Sequence, residues 1–281
     1  MKKMRIGLFM VVGFLGVTGF PLIVGAGGQC AVGKSRCIAE NAASRIDDRA
    51  REEARKEIES ARADDPDLQQ RIAPINSNPA GQSYGRWATE WEQWALGVPA
   101  AVSPLTDPTG QHCAQRQVDR VWFLAGSTIG PVERRCTVPA GKSFFFPLIN
   151  TAYFAFLNDS PETRTEEFVR AAGSCTVPVQ IRAWIDRVPV PNPTEFFTGR
   201  SGSRSPFFNV QLPPGGNIFG LDETVIPELL LSPSAEQGYY LFVRPLSPGR
   251  HMIRWIASGC TKDALGNVFS QDITYHLTVV P

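Results

Sequence analysis

The segment Gly28 to Ser35, GQCAVGKS, fits the pattern G-x-x-x-x-G-K-[ST]. In a nucleotide site, glycines at this spacing let backbone N–H groups converge on phosphate oxygens. Lys34 would meet the terminal phosphates and the Ser35 hydroxyl would hold magnesium. That chemistry needs a buried strand before the loop and a helix after it, inside a parallel α/β sheet. The only candidate strand is the apolar run ending at Val24, and no alternating β-α series follows. A P-loop nucleotide binder is therefore the third of three functional readings.

Metal and hydrolytic chemistry are little better furnished. His251 and His276 fall on the last two predicted strands and are the weak candidates for a metal site, with no carboxylate partner named by the sequence. No cofactor is expected. No G-x-S-x-G occurs, so the nucleophile elbow is absent. Asp186, Glu195, Asp222, Glu223 and Asp272 are the carboxylates open to an extracellular glycan-active enzyme, which would need two of them at a set separation. That enzyme is the alternative reading.

Recognition leads. The segment 193–208, PTEFFTGRSGSRSPFF, has aromatics at both ends and Arg200 and Arg204 between small residues. Phe196 or Phe197 with an arginine could grip a carbohydrate or an acidic protein partner. The plainer alternative is a mobile, solvated loop whose phenylalanines are strand ends. Asp107, Gln115 and Gln117 are further candidate ligand residues, although Asp107 and Gly110 also fit a polar turn before Cys113. Net charge is +1, which gives no global basic field for nucleic acid.

These residues need a scaffold, and the chain past residue 118 reads as strands. Candidates are 120–126, 132–138, 142–150, 177–190, 207–212, 239–246, 250–258 and 272–280. They are rich in aromatic and β-branched residues, with Gly or Pro in the gaps. STIGP reads as the turn of a first hairpin, with PAG (139–141) and SPG (247–249) as later turns. A short helix falls at 162–173. The run KSFFFPLIN lacks alternation, so its strand is covered on both faces or packed beneath a helix. YGRWATEWEQWALGVP supplies the cover, because Trp87, Trp91 and Trp94 recur at i, i+4, i+7 and Gly97 and Pro99 end the helix. Such a stripe is a docked face before it is a sugar-stacking platform.

The N-terminus has the parts of a secretory signal. Lys2, Lys3 and Arg5 precede an uncharged apolar run, and Val24-Gly25-Ala26 offers a small-residue cleavage site. Cleavage after Ala26 leaves a mature charge of −2; an uncleaved membrane anchor is the alternative. Six cysteines follow, an even number that suits disulfides in an exported chain. Many pairings exist. The sequential set is expected: Cys30–Cys37 is close in sequence, Cys113–Cys136 flanks the first hairpin, and Cys175–Cys260 remains by elimination. Residues 38–72 are rich in Ala, Glu and Arg and predict a solvated helix to about Ala63. Residues 73–83 read as a linker.

Together the Trp-rich helix, DPTGQHCAQRQ, VWFLAG, CTVPAGKSFFFPLIN, PLSPGRHMIRW and DITYHLTVV resemble a family of exported bacterial proteins without an assigned activity. The resemblance covers 84–281 and implies export, not function. The expected organisation is a signal peptide (1–26), a charged helical segment and linker (27–83), and a domain at 84–281. That domain is mainly β, an antiparallel two-sheet sandwich of jelly-roll or immunoglobulin-like type. The expected role is an exported, non-catalytic binding or structural module of the periplasm or cell surface. Its membrane contact would run only through an uncleaved signal segment.

Overall fold

The computed structural model describes residues 8–9, 68–117, 120–263 and 265–281. The phosphate-loop pattern 28–35, the pair Cys30–Cys37, the helix expected to Ala63 and most of the signal segment lie outside them. Everything below concerns the compact unit that contains Asp67–Pro281.

In chain order the elements are β1 (Leu8–Phe9), α1 (Leu68–Arg71), α2 (Tyr84–Gly97), β2 (Val121–Phe123), β3 (Val132–Pro139) and β4 (Ser143–Phe156). Then come α3 (Glu166–Ala172), β5 (Val177–Ile185), β6 (Val188–Pro189), β7 (Phe208–Gln211), β8 (Leu230–Val243), β9 (Gly249–Lys262) and β10 (Val268–Val280). Two five-stranded sheets form. Sheet I runs β1-β4-β8-β7, with β2 also on β4; sheet II runs β3-β10-β9-β5-β6. The orders β4-β8-β7 and β10-β9-β5-β6 match the B-E-D and G-F-C-C′ orders of an immunoglobulin-type sandwich.

The expected sandwich is present, but it is not wholly antiparallel. β2 runs parallel to β4 and β3 runs parallel to β10. The cause lies in the turns. STIGP does not close a hairpin: it leads from β2 in sheet I to β3 in sheet II. PAG then returns the chain to β4 in sheet I, and SPG carries it from β8 to β9 in sheet II.

Burial explains the layers. Along β3, Val132, Arg134, Cys136 and Val138 are buried while the residues between them are exposed, the alternation of a strand with one covered face. β4 does not alternate. Phe144, Phe146 and Leu148 belong to the inter-sheet core with Trp255, Tyr275 and Leu277. Phe145 and Phe154 belong to a second core with Trp87, Trp91, Trp94, Tyr240 and Phe242. The described residues of this unit therefore form three layers, helix α2 on sheet I on sheet II.

The helix is fixed from its first turn. Ser83 caps it by accepting the Arg86 N–H. Gly85 lies so close to the Arg204 carbonyl that a Cβ would overlap it. The three indoles are 5%, 4% and 5% exposed, which excludes a sugar-stacking platform. Each donates its N–H to a backbone carbonyl: Trp87 to Pro79, Trp91 to Leu124 and Trp94 to Gln115, all within 2.9 Å. An indole removes roughly 200 Å² from water, or about 5 kcal/mol gross at ~25 cal/mol per Å².

Two disulfides join Cys113 to Cys136 and Cys175 to Cys260, which suits folding in an oxidising compartment. The first ties the Asp107 loop to β3 across a separation of 23 residues. Replacing both of its cysteines by serine is expected to cost about 3 kcal/mol, measured by denaturant unfolding. An unchanged midpoint would refute this.

Candidate functional site

The structure gives most of the sequence-nominated residues local work. Asp107 Oδ1 accepts N–H bonds from Thr109 and Gly110 and the Thr109 hydroxyl, and Oδ2 accepts the His112 N–H. Burial alone would raise its pKa, but these donors prevail and hold the carboxyl below the ordinary range. Gln117 donates to the carbonyls of Cys113 and Phe123 and accepts the Phe123 N–H. Gln115 contributes its carbonyl to Trp94. Buried Arg134 completes the same assembly, donating to the carbonyls of Asp107, Ala125 and Gly126 and to the Tyr275 hydroxyl. The DPTGQHCAQRQ segment is thus a brace between α2, β2 and β3.

The segment 193–208 is a packed loop. Thr198, Ser203 and Ser205 are buried, and Phe196 touches both hydrophobic cores. Phe197 stacks on Tyr239 with ring centroids 4.8 Å apart. Arg200 is exposed, and Arg204 bonds the Gly199 carbonyl of its own loop. Phe196 and the two arginines therefore do not converge on one open cleft.

His251 and His276 sit on adjacent strands in the register Leu277↔His251 and Met252↔His276. This one-residue offset sends them to opposite faces of sheet II. His251 Nδ1 lies 2.7 Å from Asp186, which also meets Arg71, and His276 Nε2 lies 2.8 Å from Glu133. They cannot share an ion. The five nominated carboxylates are likewise dispersed. Asp186 occupies the β5–β6 turn, Glu195 and Glu223 are exposed, Asp222 accepts from Thr224 in its own turn, and Asp272 meets Arg254 on β9.

Two acids that sequence reasoning missed lie close enough to influence one another electrostatically, in the layer between α2 and sheet I. Glu92 on α2 and Glu236 on β8 are 3% and 1% exposed. Asn150 of β4 donates to Glu92 Oε1 at 2.7 Å, and the Tyr240 hydroxyl donates to Glu236 Oε2 at 2.7 Å. Burial, then the Glu236 charge, pushes Glu92 up to about 8. Burial pushes Glu236 up to about 7 against opposing bonds from Tyr240, Ser205 and Thr198. The Tyr240 phenol is driven well above its ordinary value by burial and by both acids. Both carboxyls are thus biased toward the neutral acid, Glu92 the more strongly.

Glu92 also lines a pocket of about 40 Å³ at the seam of α2, β4 and the 126–128 loop, with Trp91, Leu96, Ile149, Thr151 and Gln271. Glu236 is not on its wall. Gln271 is committed to the Ser127 backbone, accepting its N–H and donating to its carbonyl.

A wider groove, about 490 Å³, opens on sheet II and is lined by Gln180, Arg182, Ile256, Ser258, Ser270 and Asp272. Among the described residues no element packs over this outer face. Arg254 and Asp272 pair across it at 3.2 Å, and the Arg182 guanidinium sits 5.8 Å from the half-buried Trp184 ring. Its charges are therefore largely satisfied within the face.

No family model, curated protein or solved structure matches this chain.

Proposed function

We propose that the chain is an exported, non-catalytic binding module of the periplasm or cell surface that holds a neutral glycan on the outer face of sheet II. The observation that carries this reading is the groove along Gln180, Arg182, Ile256 and Asp272 beside Trp184. Sheet I carries α2 on its outer side, whereas sheet II leaves a broad half-exposed face. Amide, guanidinium, carboxylate and hydroxyl groups there offer both donors and acceptors, and an indole offers a flat apolar surface for a sugar ring. Because Arg254 and Asp272 already neutralise one another, the face favours an uncharged polyhydroxyl chain over an acidic or basic polymer. The two disulfides support an oxidising compartment, and the apolar leader supports export.

Glycan hydrolysis finds less support. It needs two carboxyls across one substrate bond, and the seam pocket presents only Glu92.

The test is retention by neutral polysaccharides in affinity electrophoresis. Trp184→Ala and Arg182→Ala are expected to lose about tenfold in affinity each, the scale of one stacking or charged hydrogen-bonding contact, with the fold retained by circular dichroism. Failure of every neutral polysaccharide to retard the unsubstituted protein, or full retention by both variants, would reject the reading.

A further inference from the structure

A net charge of +1 hides a strong asymmetry between the two ends of the sandwich. β2 and β4 begin, and β8 finishes, at one end of sheet I, because Val121 pairs with Ser143 and Phe144 with Val243. β9 begins at the matching end of sheet II, where β3 and β10 finish, because Gly249 pairs with Val279 and Pro139 with Val280. The β3–β4 and β8–β9 connections join the two sheets there. Every segment that reaches this end brings a cation. Arg71 closes α1 and its carbonyl accepts the Arg244 N–H. Arg120 precedes β2, Lys142 precedes β4, Arg187 follows β5, and Arg244 and Arg250 flank the β8–β9 loop. Arg120, Arg187, Arg244 and Arg250 are exposed and have no side-chain partner among the described residues. The acid described at this end, Asp186, is held by Arg71, His251 and the Met252 N–H; Asp67 and Asp119 lie outside the described residues. The other end has the reverse sign. Glu162, Glu166, Glu167, Asp222, Glu223 and Glu228 are exposed in the connections that leave β4 and lead into β8. The cations near them are Arg164, Arg170 and Lys262. Arg164 is bonded to the Leu157 and Ser232 carbonyls, and Arg170 lies over the Phe207 ring.

We infer that the basic end docks the domain on an anionic phospholipid membrane. This adds a second membrane contact to the one expected of an uncleaved leader, and it uses no residue of the glycan face. A guanidinium fork matches phosphate oxygens, and the four unpaired arginines have no internal ion pair to break before they meet them. The cations stand on separate loops of both sheets. That spread suits a plane of repeating head groups, whereas one small anion would need them gathered around a point. The acidic far end is repelled by the same surface, so docking has one orientation. Export, which the apolar leader supports, places the domain beside a membrane. The acidic end of a second copy is the competing partner.

Co-sedimentation and amide hydrogen exchange of the full chain test this, with vesicles of equimolar phosphatidylcholine and phosphatidylglycerol against phosphatidylcholine alone. Each arginine at an anionic surface is worth about fivefold in affinity, so Arg187→Gln/Arg244→Gln is expected to bind the mixed vesicles about twenty-five-fold more weakly. Arg187→Lys/Arg244→Lys keeps the charge and is expected to stay within about fivefold of the unsubstituted protein. Glu166→Gln/Glu167→Gln, at the far end, is expected not to weaken binding. Raising salt from about 0.05 to about 0.5 M should erase the preference for mixed vesicles. The leader is the same in every variant, and exchange reads the domain separately from it. Segment 244–250 is expected to gain protection on mixed vesicles and segment 222–228 is not. No gain at 244–250, or equal binding by the glutamine pair and the unsubstituted protein, overturns the inference. So does protection of 244–250 that appears without vesicles and rises with protein concentration, which would assign the basic end to a second copy. Retention by neutral polysaccharides is expected to be unchanged in the glutamine pair, so membrane docking and glycan capture fail independently.

Discussion

Stability is expected to fall as pH rises from about 4.5 to about 8, and replacing Glu92 and Glu236 by glutamine is expected to remove that slope. Both carboxyls have folded-state values above the ordinary 4.5, at about 8 and about 7. Above pH 4.5 the unfolded chain releases these two protons while the folded protein keeps them. The unfolded state then binds fewer protons, so unfolding becomes easier as pH rises, until each folded value is passed and the curve flattens. The stabilising contribution is thus complete below 4.5 and lost by about pH 8. The expected loss is on the order of 8 kcal/mol for the pair. Glutamine is neutral throughout and keeps the acceptor oxygens that Asn150 and Tyr240 use. Asp107 works in the opposite sense. Its folded value lies below the ordinary 3.8, so its contribution is present above that value and lost as pH falls further. The unsubstituted protein should therefore be most stable near pH 4 to 5, and the double glutamine variant should exceed it at pH 8. Urea unfolding across this range provides the measurement. Parallel pH profiles for the two proteins would show that the pair does not titrate as described.

Why these two acids escaped the sequence reading is instructive. Glu92 lies four residues after Ala88 and three before Ala95, so helical periodicity already placed it on the buried stripe. A lone glutamate on such a stripe carries no motif that marks it as buried. Glu236 has the strand parity of Tyr240, which faces α2, but parity is informative only once the strand's bounds are known, and the strand candidate began at Tyr239. Elsewhere position was enough. The unalternating KSFFFPLIN run required either cover on both faces or a place beneath a helix, and the indole stripe had the right period to supply a cover. Turn chemistry was legible as chain reversal, but a reversal does not say whether the next strand joins the same sheet. STIGP was therefore read as a hairpin, although β2 and β3 part to different sheets. The two histidines needed inter-strand register, which a single sequence does not carry.

Trp91→Ala is expected to be among the most damaging single substitutions in the helix layer, costing about 4 kcal/mol. The ring is 4% exposed, packs 6.2 Å from Trp94 between centroids, and forms part of the apolar wall of the seam pocket. Its N–H meets the Leu124 carbonyl at 2.9 Å, at the point where the chain leaves β2 and enters the loop braced by Arg134. Alanine removes the ring volume and strands that carbonyl in an apolar layer. Trp91→Phe retains most of the hydrocarbon and loses the donor, so it should cost less, about 2 kcal/mol. The order separates packing from hydrogen bonding: equal losses would assign the anchor to the N–H alone. Loss of less than 1 kcal/mol in Trp91→Ala, read as a shift in denaturation midpoint at constant slope, would mean that α2 is held by its flanking tryptophans and not by its centre.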